Sequence, residues 1–211
     1  MTEGSSRPYF DKVAGQWDDI RKDYYDESVL QAITSRVPFG KDWRIADLGA
    51  GSGFVSAAVA PLVARLLALD QSPEMLATMK KNMAARGIAN IDYVGGDLGR
   101  LPFVAGGLDA VVANMALHHA QDPPATLGEM YRVLKTGGFA AVTDLDQHQN
   151  TWFAREMFDV WMGFDRDDVR AWFEGAGFKD VSVGCVGSSC RATSPCGQAA
   201  AVSIFIAVGR K

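Results

Sequence analysis

The chain has 211 residues, of which 48% are hydrophobic, so one folded domain with a sizeable core is expected. Its net charge is −4 and no cluster of lysine and arginine stands out, which argues against a nucleic-acid-binding surface. The N-terminus lacks the basic, apolar pattern of a signal peptide, and no run of 18 apolar residues occurs. We therefore predict a cytoplasmic protein without a membrane span, either a monomer or a homodimer.

Residues 1–43 are predicted to form an N-terminal helical cap, followed by one domain over residues 44–211. Tyr9, Phe10, Val13 and Trp17 recur at roughly helical spacing, with charged residues between them. Such a stripe indicates a helix that packs its apolar face on the domain.

Short apolar strands alternate with helices from residue 44 onward. Strands are predicted at 44–48, 63–69, 91–94, 108–113, 139–143, 179–183 and 202–208. Most are followed by a helix, and strands this apolar imply a parallel sheet that is covered on both faces, which is an α/β fold. The last two strands have no helix between them and must pair antiparallel.

Helix boundaries are marked by capping residues. Ser72-Pro73-Glu74 predicts the start of a helix that runs to about Arg86 and stops at Gly87. Asp122 begins another helix, which is predicted to end at residues 136–138. Asp165 is the predicted cap of the last helix.

The first strand ends in a glycine-rich turn that contains Gly49, Gly51 and Gly53. Glycine lets a ligand approach the main chain, and the N–H groups at the start of the next helix favour electron-rich groups. The spacing is G-x-G-x-G, with Asp47 two residues ahead, whereas dinucleotide-binding domains have G-x-G-x-x-G. The turn alone indicates only a nucleotide-like ligand.

Two further carboxylates follow neighbouring strands. Asp70 ends the second strand, where a carboxylate can accept both hydroxyls of a ribose. The other interpretation, an aspartate that caps the next helix, is weaker because Ser72 is better placed for capping. Asp97, after the third strand, either accepts a hydrogen bond from an exocyclic amine or caps its own loop.

Residues 47–53, 70–76, 96–98 and 114–119 resemble, in order and spacing, the successive motifs of class I S-adenosylmethionine (SAM)-dependent methyltransferases. The likeness covers about residues 9–145 and is greatest to the branch of ubiquinone/menaquinone-biosynthesis and arsenite methyltransferases. It implies a three-layer Rossmann-like sandwich around a seven-stranded, mostly parallel sheet whose last strand is antiparallel. The C-terminal hairpin agrees with that topology independently.

The resemblance also implies a role for each matching position, with SAM as the cofactor. Gly49, Gly51 and Gly53 flank the methionine part of SAM, and Asp47 holds its amino group. Asp70 is implied to bind the ribose, and Gln71 and Met75 to lie beside the adenine. Gly96, Asp97 and Leu98 are implied to lie at the adenine amine. The Asn114 backbone is assigned to the methionine moiety, and Tyr9 and Trp17 are candidates to cover the bound cofactor.

The three cysteines, Cys185, Cys190 and Cys196, fall in a predicted turn over residues 184–199. Ligands of open α/β sheets bind beyond the carboxyl ends of the strands, so this turn is expected to face the acceptor. A soft-ligand site for a species such as arsenite, a redox disulfide and a structural role are the three interpretations. The spacing is not that of a zinc site, and no metal site is predicted.

His118, His119 and His148 also follow strands at the ligand end of the sheet. Each of the three could act as a base or contact a substrate, and His119 and His148 are the named candidates for substrate contact. Loop histidines without such a role are equally compatible. No catalytic residue is assigned, because methyl transfer from a sulfonium mainly requires positioning.

The predicted function is methyl transfer from SAM to a small-molecule acceptor, with a thiol or a soft metalloid as the sharpest hypothesis. A non-catalytic SAM-binding sensor or scaffold is the alternative. A nicotinamide-dependent oxidoreductase is a third, which the G-x-G-x-G spacing and the Asp97 motif disfavour.

Overall fold

The computed structural model describes residues 6–193 and 197–211. Its strands are Arg44–Leu48 (β1), Arg65–Asp70 (β2), Ile91–Gly95 (β3), Leu108–Asn114 (β4), Leu134–Leu145 (β5), Lys179–Thr193 (β6) and Ala199–Arg210 (β7). They form one sheet in the order β3-β2-β1-β4-β5-β7-β6. The pairs among β1 to β5 are parallel, while β7 runs antiparallel to both β5 and β6. The predicted seven-stranded α/β fold with an antiparallel last strand is confirmed.

The described helices are Arg7–Val13 (α1), Trp17–Ile20 (α2), Glu27–Thr34 (α3), Phe54–Val59 (α4), Pro73–Ala85 (α5), Pro123–Val133 (α6), Thr151–Met157 (α7) and Arg166–Gly175 (α8). One apolar cluster joins α3, α4 and α5 to one face of the sheet, and a second joins α6 and α8 to the other face. Consecutive strand residues alternate between the two clusters: Leu66 and Ala68 point to the first, Leu67 and Leu69 to the second. This explains why the parallel strands are mainly apolar on both faces.

The predicted helix starts have the expected caps. The Ser72 hydroxyl accepts a hydrogen bond from the Met75 N–H at 3.1 Å, and Pro73 occupies the first turn of α5. The Asp165 carboxylate accepts from the Asp167 N–H at 2.8 Å at the start of α8. Because Ser72 caps α5, the carboxylate of Asp70 is left at the strand end for other partners.

Two boundaries differ from the prediction by several residues. The helix that was expected to reach residues 136–138 ends at Val133, because Leu134 already pairs with Leu108 of β4. Strand β6 extends to Thr193, so most of the predicted turn over residues 184–199 is strand. Pairing with β7 outweighs the weak strand preference of a stretch rich in glycine and serine.

The described part of the N-terminal segment is helical and lies over the first face of the sheet. Ala14, Trp17 and Tyr25 are buried in the first apolar cluster. None of the helices in the described part of the chain is both long enough and apolar enough to span a membrane.

Candidate cofactor and acceptor site

One pocket lies at the carboxyl ends of β1, β2 and β4, under the N-terminal segment. Most of the residues that the resemblance assigns to the cofactor line it: Trp17, Asp47, Gly49, Gly51, Asp70, Gln71, Met75, Gly96, Asp97, Leu98 and Asn114. Tyr9 and Gly53 are not among its lining residues. The fold thus brings together positions that are up to about a hundred residues apart in the chain.

The glycine-rich turn requires glycine for both conformation and space. Gly49 and Gly51 have φ angles of +65° and +54°, in the left-handed region that other residues rarely adopt. A Cβ at Gly49 would lie 2.6 Å from the Cβ of Ala116, and one at Gly53 would lie 2.8 Å from Cγ of Met79. Gly53 therefore serves the packing of α4 against α5, while Gly49 and Gly51 leave the main chain open to the pocket.

Asp47 is a buried carboxylate on the floor of the pocket. The Ser56 hydroxyl donates a 2.5 Å hydrogen bond to its Oδ2 atom. Burial raises the pKa of Asp47 to about 7, although the Ser56 hydrogen bond lowers it. A carboxylate with such a pKa is half protonated near neutrality, so a cationic ligand would stabilise its charged form.

The Asp70 carboxylate is fixed at the end of β2 by two main-chain groups. Its Oδ2 accepts from the Gly51 N–H and its Oδ1 accepts from the Ser72 N–H, each at 2.8 Å. Burial raises the pKa of Asp70 above its usual range. The side chain therefore links the glycine-rich turn to α5, and each oxygen keeps a second lone pair for a ligand.

Two other predicted cofactor residues also make structural hydrogen bonds. The Asp97 carboxylate accepts from the Gly99 N–H at 2.7 Å, which is the loop-capping interaction weighed above. Asn114 accepts from the Thr143 hydroxyl at 2.8 Å, so its amide anchors β4 to β5. Neither contact closes the pocket, which both residues still line.

The N-terminal segment roofs the pocket with aromatic rings. Trp17 and Phe10 are in edge-to-face contact, with ring centroids 5.2 Å apart, and both line the pocket together with Tyr24 and Tyr25. A Cβ placed on Gly51 would lie 3.5 Å from Nε1 of Trp17, so this indole sits directly above the turn. Phe10, Tyr24 and Tyr25 were not predicted as site residues. Apolar helical spacing gave no means of separating rings above a ligand from rings in the core.

Polar contacts hold this roof in place. The Ser52 hydroxyl and the Asn82 amide donate to the Asp18 carboxylate at 2.7 and 2.8 Å. The Ser72 hydroxyl donates to Asp11 at 2.6 Å. Tyr9 lies outside the pocket lining, where its hydroxyl approaches the sulfur of Met157 at 3.7 Å.

The far end of the pocket contains a pair of histidines. Nδ1 of His118 lies 2.6 Å from Oδ1 of Asp144, and the main-chain N–H of His118 donates to Oδ2 of the same carboxylate at 3.2 Å. Burial alone would lower the pKa of His118, but the carboxylates of Asp144 and Asp159 raise it to about 9. Burial and the neighbouring His118 hold the pKa of His119 well below its usual range. Thus one imidazole is held charged and the other neutral.

Asp159 faces both histidines, although it is 40 residues further along the chain. Its Oδ1 lies 3.5 Å from Nε2 of His118 and 3.8 Å from Nδ1 of His119. Burial raises the pKa of Asp159 to about 6 despite the opposing effect of His118. Asp159 was not a predicted site residue, and His118 was predicted only as one of three histidines at the ligand end of the sheet. His148 is not among the lining residues. Its Nδ1 accepts from the Asn150 N–H instead.

The two cysteines within the described residues do not converge on the pocket. Cys185 pairs with Phe205, which belongs to the second apolar cluster, while Cys190 pairs with Val202, which belongs to the first. Paired residues point to the same face, so the two sulfurs lie on opposite faces of the sheet. Cys190 is buried and lines the pocket, whereas Cys185 is exposed, and Cys196 lies outside the described residues. The expectation that all three face the acceptor is wrong for Cys185.

Comparison with known proteins agrees with this geometry. Residues 46–142 match the family model described as a methyltransferase domain. The chain is similar to 2-methyl-6-phytyl-1,4-hydroquinone methyltransferase 2, chloroplastic, of Oryza sativa subsp. japonica, with 30% identity over 177 residues. The aligned region covers 82% of this chain and 47% of that protein. This match and the strand order agree with the resemblance to class I SAM-dependent methyltransferases over residues 46–142.

The chain is also similar to a second curated protein and to a solved structure. Arsenite methyltransferase of Halobacterium salinarum is 28% identical over 153 residues, covering 66% of this chain and 38% of that protein. Phosphoethanolamine N-methyltransferase 2 of Haemonchus contortus, solved in complex with S-adenosyl-L-methionine, shares the fold with a TM-score of 0.71 at 16% identity, over 86% of this chain and 52% of that one. The chain spans about half the length of the first curated relatives that it matches.

Proposed function

We propose that this chain transfers the methyl group of SAM to a small-molecule acceptor. One observation carries the proposal: a single pocket runs from the glycine-rich turn to the wall formed by His118, His119 and Cys190. The turn end has the residues of a SAM site, and the far end holds side chains that the cofactor does not need. A methyl donor and its acceptor would therefore meet inside one cavity.

In this proposal each cofactor contact uses a group that the fold already holds in place. Asp47 would bind the ammonium of SAM, because a cation relieves the cost of charging a buried carboxylate. Asp70, fixed by two N–H groups, would accept the ribose hydroxyls. Asp97 and Leu98 would border the adenine.

Methyl transfer from SAM requires few reactive groups from the protein. An electron pair of the acceptor forms a bond to the methyl carbon as the carbon–sulfur bond breaks, and the sulfonium leaves as a neutral thioether. A protonated acceptor also releases a proton. The chain would supply alignment and a dry site, for which the aromatic roof of Phe10, Trp17 and Tyr24 is suited.

We infer that the acceptor is mainly apolar and aromatic. Phe10 stands edge-to-face to His119 at 5.2 Å, and Met157 and Tyr24 line the same cavity, so the far end offers rings and a thioether to a flat acceptor. A hydroquinone is the acceptor that the name of the Oryza sativa relative specifies for that protein.

A soft acceptor such as a thiol or arsenite is the second candidate, favoured by the Cys190 sulfur in the pocket. A three-thiol site is not supported by the described residues, because Cys185 lies across the sheet. Burial also raises the pKa of Cys190 to about 12, which leaves it a poor thiolate donor before a metalloid arrives.

The test is a panel of acceptors incubated with SAM, with formation of S-adenosylhomocysteine and of the methylated product as readouts. Turnover with a hydroquinone that survives Cys190→Ser would support the aromatic acceptor, whereas turnover with arsenite that this variant abolishes would support the soft one. Tight SAM binding without turnover of any acceptor would indicate the non-catalytic module. Binding of a nicotinamide dinucleotide instead of SAM would overturn the proposal.

A further inference from the structure

Three side chains at the far end of the pocket point potential ligand atoms at one another. Nε2 of His118, Nδ1 of His119 and a carboxylate oxygen of Asp159 all lie within 4.8 Å of one another. The two histidine nitrogens are 3.5 and 3.8 Å from the same carboxylate oxygen. Zinc-ligand bonds of about 2.0–2.2 Å at tetrahedral angles separate neighbouring ligand atoms by roughly 3.3–3.6 Å. The observed spacing thus needs only small shifts to enclose a cation.

Three buried polar atoms of this cluster also lack hydrogen-bond partners among the described residues. The Asp159 side chain is 1% exposed, yet neither of its oxygens has a hydrogen bond within the described structure. Nδ1 of His119 is likewise buried without one. Burying a carboxylate that accepts no hydrogen bond is costly, so such groups are normally completed by an ion or a donor that the protein binds.

Asp144 orients the cluster from behind. Its Oδ1 atom lies 2.6 Å from Nδ1 of His118 and also accepts a hydrogen bond from the main-chain N–H of Leu145 at 2.7 Å. With Nδ1 engaged, the ring directs Nε2 towards Asp159. A carboxylate behind a histidine in this way is the usual outer shell of a metal-binding imidazole, where it fixes the ring and the tautomer.

The main chain fixes Asp159 against the histidines. The carbonyl of His118 accepts hydrogen bonds from the N–H groups of Val160 and Trp161 at 3.0 and 3.1 Å. The Trp161 indole donates to the carbonyl of Ala120 at 2.9 Å. The loop after α7 is therefore anchored to the turn that carries both histidines, which makes the cluster a built part of the fold.

We propose that His118, His119 and Asp159 bind a divalent transition-metal cation of the zinc type, with Asp144 as the positioning residue behind His118. The cation takes the place of the Nε2 proton of the charged His118, and that proton is released on binding. Three protein ligands leave a fourth position, as in catalytic zinc sites. Because all three side chains line the pocket, that position would face an acceptor and could hold its oxygen or sulfur. This role rests on the proposed methyl transfer, but the metal binding does not.

The test uses the full chain, stripped of metal with a chelator and titrated with Zn²⁺ by calorimetry in the absence of SAM. Co²⁺ is the second probe, because its visible absorption reports four-coordinate geometry. We expect one equivalent of either cation to bind. His119→Ala and Asp159→Asn should weaken binding at least about tenfold, and Asp144→Asn by about 10- to 100-fold.

His148→Ala is the matched control, since it removes the chain's third histidine, which is not one of the proposed ligands. His119→Gln is a second variant in case the alanine variant does not fold, and circular dichroism verifies each. Folded wild-type protein that takes up neither cation would overturn the proposal, as would affinity that is unchanged in His119→Gln and Asp159→Asn. Loss of methyl transfer with intact Zn²⁺ binding would instead refute only the proposed function.

Discussion

The carboxylate of Asp18 accepts a hydrogen bond from the hydroxyl of Ser52 at 2.7 Å, which ties the N-terminal segment to the glycine-rich turn. The same carboxylate takes the amide of Asn82 on α5 at 2.8 Å. Residues from three parts of the chain thus meet beside the pocket. The aromatic roof is held by these contacts as well as by apolar packing.

Removing this tie should loosen the roof and weaken SAM binding. For Asp18→Ala we expect the dissociation constant for SAM, measured by calorimetry, to rise about tenfold, because two hydrogen bonds to a charged group are lost. Asp19→Ala is the control: its carboxylate contacts only the exposed Lys22 among the described ion pairs and should change the constant little. Equal effects of the two variants would mean that the roof does not depend on Asp18.

Gly49 should tolerate no side chain. A Cβ there meets Ala116 at 2.6 Å in a backbone with φ of +65°, so Gly49→Ala should weaken SAM binding by at least about tenfold. Gly106→Ala is a close control, because Gly106 has the same φ of +65° but open space around its Cβ position. If both variants bind SAM as the wild type does, the turn is not the cofactor site.

Asp47 should make SAM binding dependent on pH. Its pKa of about 7 in the free protein means that it carries a proton below neutrality, and that proton must leave before the ammonium of SAM can pair with the carboxylate. The dissociation constant should therefore rise with falling pH, by up to about tenfold per unit below pH 7. Asp47→Asn should bind more weakly at pH 8 and lose most of this slope, whereas Asp92→Asn, at an exposed carboxylate, should keep it.

The Asp47 carboxyl should also make the stability of the ligand-free protein depend on pH. A carboxyl whose pKa is raised from 3.8 to about 7 on folding contributes stability that is fully present below about pH 4 and is lost as the pH rises through 7. Melting temperatures between about pH 5 and pH 8 should fall less steeply in Asp47→Asn than in the wild type. Identical slopes would show that Asp47 does not titrate in this range.

The two described cysteines should differ sharply in reactivity. Cys185 is exposed, whereas Cys190 is buried and its pKa of about 12 lowers its thiolate fraction about a thousandfold relative to a thiol of pKa 9. Brief treatment of native protein with iodoacetamide, followed by peptide mass spectrometry, should label Cys185 at least about a hundredfold faster. Comparable labelling would place Cys190 at the surface and remove it from the pocket.

The parts of the fold that could be predicted are those with local signals. Ser72-Pro73 marked the start of α5. Mainly apolar runs marked the parallel strands, because burial of both faces of a sheet imposes that pattern. Residues 184–193 carried no such signal: their strand character comes from pairing with β7, which no local preference encodes. The error mattered, since a strand alternates its side chains and a turn need not, and Cys185 was therefore expected beside Cys190.

The candidate site likewise has one part that could be predicted from the sequence and one part that could not. The cofactor end is built from short motifs, each at one strand end, so Asp47, Asp70 and Asp97 could be predicted to converge. The acceptor end is built from contacts across the chain, such as Asp159 against His118, and no spacing reveals them. Only the fold places the loop after α7 on the turn after β4.

A crystal structure of the full chain with SAM would test the proposed methyl transfer most directly. We expect the methionine end over Gly49 and Gly51 with its ammonium at Asp47, and the ribose on Asp70. We expect the methyl group to be directed towards the wall of His118 and Cys190. SAM bound elsewhere, or bound in this pocket with its methyl turned away from that wall, would contradict it.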